Sequence, residues 1–344
     1  MSPRTGAARR PPRQLDAEAA LDWNIPCYNR LPDPLFEIAV DDFQVPVIEL
    51  PEQLLSARLQ GQRIRVHVLL GFMAPPGNIK RIPAGYMIEK AIETGRVEPG
   101  GELVEPTSGN MGVSLAFCAR KYDVGVTAIV SDRLGDGKLR PLVRHGARIV
   151  KESEAVKTLN LASSPGSIAL AQMYAATTGG VFLNQYGNPW NPESYERLVA
   201  PQLWERLGGH VNLLVSAIGS TGTLVGLGGY FRARNPLLQA VATMPYLGQE
   251  IEGTRDEERL RQITHDWRPI ATAVDPIDEL VARRVSALLN ESGIPAGPSS
   301  GAALRSADHY LLQRMADRTI DELRSADGTI GVVLPFADTL YPYA

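Results

Sequence analysis

From Pro83 onward, apolar residues recur at helical spacing: Ala84, Met87, Ile88, Ala91 and Ile92 fall at i, i+3, i+4, i+7 and i+8. One stripe at that period predicts a helix, with Pro83 in its first turn and Gly95 as its stop. The strand "ELVE" then leads through "PTSGNMG" into the apolar helix "VSLAFCAR". The strand "VTAIV", a helix through "LRPLVRHG", the strand "ARIVK" and a helix through "SIALAQMYAATTG" follow. Beyond "VFLNQYGNP" the alternation resumes with a helix over "PESYERLVAPQLWERLG", the strand "NLLVSAI", the loop "GSTGT" and another apolar helix. Late helices cover "PIDELVARRVSALLNESG" and "GAALRSADHYLLQRMAD", and "IGVVLP" reads as a strand near the end. Apolar strands alternating with helices predict an α/β fold with mainly parallel sheets and helices on both faces.

Composition narrows the picture. A chain of 344 residues buries a large core and divides into about two domains. Its hydrophobic share of 44% and charged share of 21% are those of a soluble globular protein. A net charge of -3 gives no electrostatic reason to expect nucleic acid or an anionic membrane. No run approaches the roughly 20 apolar residues of a membrane span. Cys27 and Cys118 cannot make a disulfide framework or a zinc knuckle, and the five histidines lack metal-ligand spacing, so no metal is expected. The segment "MSPRTGAARRPPRQ" has no apolar stretch of the secretory kind and reads as a disordered tail. Cysteine usage points to a reducing, cytoplasmic setting.

Ligands of α/β folds gather at the carboxyl ends of strands, where loops enter helices. Three small-residue loops occupy such places: "PTSGN" at 106–110, "GSTGT" at 219–223 and "GPSSGA" at 297–302. In "GSTGT" the glycines permit close backbone approach, and N–H groups at a helix start favour a phosphate. A plain strand-to-helix turn reads equally well. The nucleoside-triphosphate pattern G-x-x-x-x-G-K-[ST] and the dinucleotide pattern G-x-G-x-x-G are both absent there. Thr107, Ser108 and Asn110 in "PTSGN" suit a carboxylate as well as a phosphate, or simply cap the next helix.

The chain holds six lysines against twenty-nine arginines, all six between Lys80 and Lys157. Lys80, in "PPGNIKRIP", stands just before the first helix. An exposed lysine is the bland reading. An amine, unlike a guanidinium, loses its proton and condenses with an aldehyde. Pyridoxal phosphate brings both an aldehyde and a phosphate, so Lys80 is read as the Schiff-base lysine.

With those residues in view, the sequence resembles the cysteine synthase / cystathionine β-synthase family of fold type II pyridoxal-phosphate enzymes. "NIKRIPAGYMIEKAIETGRVEPGGELVEPTSGNMGVSLAF" looks like that family's lysine helix, strand and substrate loop in register. "NQYGNPWNPESY" is similar to its Asn-Gln-Phe-x-Asn-Pro segment, "GSTGTLVG" to its phosphate loop and "AGPSSGAAL" to its late Ser-Ser-Gly-Ala segment. The matches run in order from about Val45 to Tyr341.

The resemblance implies a two-domain, tryptophan synthase β-like fold. A small domain would hold 74–184, a large one 41–73 and 185–344, after an N-terminal extension over 1–40. It implies Lys80 as the covalent attachment, Asn110 at the cofactor's ring hydroxyl, and Gly219, Ser220, Thr221, Gly222 and Thr223 at its phosphate. Ser299 would face the ring nitrogen, and Thr107, Ser108, Gly109, Met111 and Gln185 would surround the substrate carboxylate. The implied reaction is β-replacement on O-acetylserine or O-phosphoserine through an aminoacrylate, with sulfide or another small nucleophile. A homodimer is implied as well, and no regulatory domain is expected after Tyr341.

Four departures from the family pattern concern substrate more than cofactor. Met111 replaces a threonine, Arg81 and Ile82 replace Asp-Arg, "LVAPQLW" replaces Thr-Thr-Gly-Pro, and no Gly-Ile-Gly is recognisable in "MPYLGQEIEGTRDEERL". The alternatives are a serine or threonine dehydratase, a synthase of a non-protein amino acid such as 2,3-diaminopropionate, and a non-catalytic binding protein.

Overall fold

The computed structural model describes residues 44–107 and 109–340. The N-terminal extension expected over 1–40, with Cys27, lies outside them. Ten strands are present among the described residues: β1 Val47–Glu49, β2 Ile64–Leu70, β3 Glu102–Pro106, β4 Gly125–Val130, β5 Arg148–Lys151, β6 Val181–Phe182, β7 Leu213–Ala217, β8 Gln239–Pro245, β9 Ala273–Ile277 and β10 Ile330–Phe336. They form a six-stranded sheet of order β1-β2-β10-β7-β8-β9 and a four-stranded sheet of order β5-β4-β3-β6. All pairings are parallel except β1 with β2.

The α/β expectation follows from how the strands divide their side chains. In β7, Leu214 enters one core with Tyr195, Leu224 and Phe231, while Leu213 and Val215 enter another with Leu304 and Leu311. In β10, Val333 joins the first core and Val332 and Leu334 the second. Successive residues point to opposite faces, and helices cover both, so these strands are apolar throughout rather than alternating. The four-stranded sheet packs Val104, Ile129 and Val150 on Leu170, Ala171 and Tyr174 of the helix Ser167–Thr178.

The first helix spans Arg81–Glu93, two residues earlier than the apolar stripe predicts, with Lys80 at its cap. Pro83 stays in the first turn, where it removes no helical hydrogen bond. Gly95 follows the helix with φ 66. The hydrophobic pattern assigns no element to β1, β2, β8 or β9. β2 and β8 are buried on both faces over most of their length and give no period-two signal. β9 contains Pro276, which an edge strand tolerates. The helix expected from Pro276 begins instead at Glu279, where the Asp278 carboxylate accepts from Leu280 N and Val281 N. The long helix after Pro189 contains a wide π turn at Tyr195–Val199.

Candidate active site

Strand ends from both sheets open on a cavity of about 520 Å³. β3 delivers Thr107, Gly109, Asn110 and Met111; β7 delivers Gly219, Ser220, Thr221 and Thr223; β10 delivers Asp338. Lys80, Gln185 and Ser299 line it as well. Gly222 does not line the cavity: a Cβ there would meet Asn191 Oδ1 at 2.1 Å. Ser108 lies outside the described residues. The rest of the residues singled out in the sequence are thus gathered around one space.

Lys80 owes its place to Asn78, whose Oδ1 accepts from Lys80 N at 3.0 Å and from Ser114 Oγ at 2.9 Å. That pins the turn before the helix and directs the lysine side chain inward. Its Nζ lies 3.3 Å from Ser220 Oγ. Burial pushes the Lys80 pKa down to about 8, and the negative charge of Asp338 opposes the shift. The bland reading of an exposed lysine is excluded by this placement.

The Gly219–Thr223 turn is built for close approach. A Cβ at Gly219 would lie 2.2 Å from Gly253 O, so only glycine fits. Thr221, the cap of the helix Gly222–Arg234, holds φ 63, a conformation that β-branched residues rarely adopt. His265 braces the turn from behind: Nδ1 is 2.8 Å from Ser220 O and Nε2 3.1 Å from Asn188 O. Asn191 Nδ2 donates to Ser220 Oγ at 3.1 Å and to Gln185 O at 2.7 Å. The turn therefore presents backbone N–H groups and hydroxyls at a helix start, where an anion is favoured.

In the β3 loop, Thr107 Oγ1 accepts from Gly109 N and Gly112 N, both at 3.1 Å, so it caps the helix Asn110–Ala119 while lining the cavity. Gly109 has φ 152. Met111 is buried and puts a thioether where the family pattern has a hydroxyl donor. Glu105, just behind, takes the backbone N–H groups of Asn184 and Gln185 at 2.9 and 3.0 Å. Burial raises its pKa to about 7 against the pull of those hydrogen bonds. It holds Gln185 against the cavity. Arg81 lies outside the cavity and donates to Cys118 Sγ at 3.1 Å, so its departure from the family pattern is a matter of helix packing.

Ser299 Oγ, in the first turn of the helix Pro298–Ala316, is buried with no hydrogen-bond partner among the described residues. A buried hydroxyl in that state lacks a ligand atom to meet. An amine of lowered pKa, an anion-suited turn and this unpartnered hydroxyl together fit pyridoxal phosphate, with its aldehyde, phosphate and ring nitrogen. Sequence reasoning missed Asp338, His265 and the wall from Glu250 to Gln262, which includes Arg255 and Arg259. Asn191 sits inside "NQYGNPWNPESY" and was within reach of that motif; Asp338 follows a strand's carboxyl end, the other available signal.

Comparison with known proteins gives the family. The sequence profile of a family described as "Pyridoxal-phosphate dependent enzyme" matches residues 43–320. Cysteine synthase B of Pseudomonas aeruginosa is 31% identical over 232 residues, covering 67% of this chain and 75% of its own. N-(2-amino-2-carboxyethyl)-L-glutamate synthase of Ralstonia nicotianae is 30% identical over 271 residues, covering 75% of this chain and 78% of its own. The crystal structure of a cysteine synthase from Entamoeba histolytica superposes with a TM-score of 0.74 at 20% identity, covering 99% of this chain and 92% of its own. That last likeness speaks to the fold alone.

Proposed function

Because this chain belongs to the cysteine synthase family of pyridoxal-phosphate dependent enzymes, we propose that it catalyses β-replacement on an O-activated L-serine, O-acetylserine or O-phosphoserine. The observation that carries the reading is the amine of Lys80, 3.3 Å from Ser220 Oγ, in one cavity with Asn110 and Ser299. When bound, pyridoxal phosphate supplies an aldehyde for the amine and a conjugated ring that withdraws electrons from the substrate's Cα.

The chain's own residues divide the remaining work. Gly219, Ser220, Thr221 and Thr223 would hold the phosphate through N–H groups and hydroxyls, with Gly222, which does not line the cavity, packing the turn on Asn191. Asn110 would donate to the ring hydroxyl, and Ser299, a neutral partner, would meet the ring nitrogen without protonating it. Thr107, Ser108, Gly109, Met111 and Gln185 receive the substrate carboxylate. Lys80, with a pKa near 8, gives up its proton at modest cost near neutral pH, and Nζ then takes the proton from Cα. The leaving group departs from Cβ with its bonding electrons, a small nucleophile bonds to Cβ in its place, and Nζ returns the proton to Cα.

The division into a small domain at 74–184 and a large one at 41–73 and 185–344 is supported by the sheets. β3 to β6 form one, and β1, β2 and β7 to β10 the other. Homodimerisation and a cytoplasmic location belong to the same reading; no helix among the described residues is long and apolar enough to cross a membrane. A second reading, replacement by an amino-acid nucleophile, is favoured by Arg255 and Arg259 in the cavity wall, charges that suit a carboxylate-bearing partner.

Product analysis by mass spectrometry separates these outcomes. Incubation with O-acetylserine or O-phosphoserine and sulfide is expected to yield cysteine. A preference for an amino-acid nucleophile selects the second reading. Pyruvate from serine, or 2-oxobutyrate from threonine, with no replacement product, would identify a dehydratase and overturn both.

A further inference from the structure

Asp338 lies two residues beyond the end of β10 and is 1% exposed. Its backbone pairs with Asn78, two residues before Lys80. Its carbonyl accepts from Gly297 N at 2.9 Å, two residues before Ser299. Its Oδ2 accepts from Asn110 Nδ2 at 2.6 Å. The chain at this position thus ties together the three segments that bring Lys80, Ser299 and Asn110 to the cavity.

The side chain does something the backbone contacts do not. A carboxylate offers only acceptors, so the Asn110 amide has to turn its NH2 group towards Asp338. A charge-assisted hydrogen bond of that length is strong and directional. The carboxylate sits against Gly297, where a Cβ would stand 2.3 Å from Asp338 Oδ1, so the glycine is what admits it to this position. One N–H of Asn110 is thereby committed, and the plane of the amide is set relative to the cavity.

We propose that Asp338 is a positioning residue, whose carboxylate fixes the amide of Asn110 in the orientation that donates to the ring hydroxyl of pyridoxal phosphate. The proposal rests on the role given to Asn110 in the preceding reading. It makes cofactor affinity and the visible absorption of the holoenzyme depend on Asp338 through Asn110. A merely structural Asp338 would act independently of Asn110.

A double-mutant cycle decides between the two. Pyridoxal phosphate dissociation constants and visible spectra are measured for the wild type, Asp338→Ala, Asp338→Asn, Asn110→Ala and Asn110→Ala combined with Asp338→Ala. Asp338→Ala is expected to weaken binding roughly tenfold and to shift the visible maximum. Asp338→Asn keeps an acceptor for Asn110 and is expected to remain within about threefold of the wild type. In the Asn110→Ala background, adding Asp338→Ala is expected to change affinity by about threefold or less, the remainder being the effect of its charge on Lys80. Equal losses in both backgrounds, or wild-type binding by Asp338→Ala, would overturn the proposal. If Asp338→Ala does not fold by circular dichroism, Asp338→Ser, which withdraws the acceptor from reach, replaces it in the cycle. An Asn110→Ala protein with unaltered affinity and spectrum would instead refute the role given to Asn110, and the role of Asp338 would fall with it.

Discussion

Holding a lysine amine in a cavity away from water works against folding, and Lys80 shows by how much. Its pKa falls from 10.5 to about 8 because burial disfavours the ammonium, with Asp338 restoring part of the loss. Between those two values the unfolded chain keeps a proton that the folded chain has released. For a depressed pKa the favourable contribution is full above 10.5 and is lost as pH falls through about 8. Lys80→Met, which removes the charge and keeps the length, is therefore expected to stabilise the cofactor-free protein at pH 7 by about 2–3 kcal/mol. Urea denaturation at pH 7 and pH 9.5 checks this: the gain should shrink at the higher pH, and a loss at pH 7 would contradict it. Such a gain is what a functional residue held at the expense of stability predicts. Lys80 stood out in the sequence because the loss of a proton from an amine is a property of the residue itself, whereas its placement 3.3 Å from Ser220 Oγ joins segments 140 residues apart. Asp338 and His265 were not, because each acts on a residue far along the chain: Asp338 on Asn110 and Lys80, His265 on the carbonyls of Ser220 and Asn188.

Among the elements, the turn between β7 and the helix Gly222–Arg234 concentrates the strain of the site. Gly219 cannot carry a Cβ, since Gly253 O would be 2.2 Å from it, whereas Thr221 carries a branched side chain at φ 63. The two positions should respond in opposite directions. Gly219→Ala is expected to lose about 1–3 kcal/mol of stability as the turn is forced off Gly253. Thr221→Gly is expected to gain about 1 kcal/mol in the cofactor-free protein by relieving the left-handed backbone, while binding pyridoxal phosphate less tightly for want of a hydroxyl. Thermal melts with and without the cofactor measure both terms; a destabilised Thr221→Gly apoprotein would contradict the strain argument. The three loops were legible as ligand-suited turns because strand, small residues and helix succeed one another in sequence. The wall from Glu250 to Gln262 was not, since it leaves the end of β8 and carries no glycine-rich signature. β8 itself lacks period-two alternation because both of its faces are buried.

At the scale of the whole molecule, the site depends on two sheets contributing different chemistry to one cavity. The six-stranded sheet brings the anion-suited turn and Asp338, and the helix Pro298–Ala316 packed on it brings Ser299. The four-stranded sheet brings Thr107, Gly109, Asn110 and Met111 from the end of β3. Lys80 reaches the cavity from the turn held by Asn78, and its amine meets Ser220 of the larger sheet's turn. Neither sheet alone would hold a phosphate, a ring and an amino-acid carboxylate in the required relation. The central claim is that pyridoxal phosphate is bound covalently at this junction, through one of six lysines. Borohydride reduction of the holoenzyme followed by peptide mass spectrometry tests it most directly. The account predicts the cofactor's added mass on the peptide containing Lys80, and its disappearance in Lys80→Ala. Label on any of the other five lysines, or none on a protein saturated with the cofactor, would contradict it.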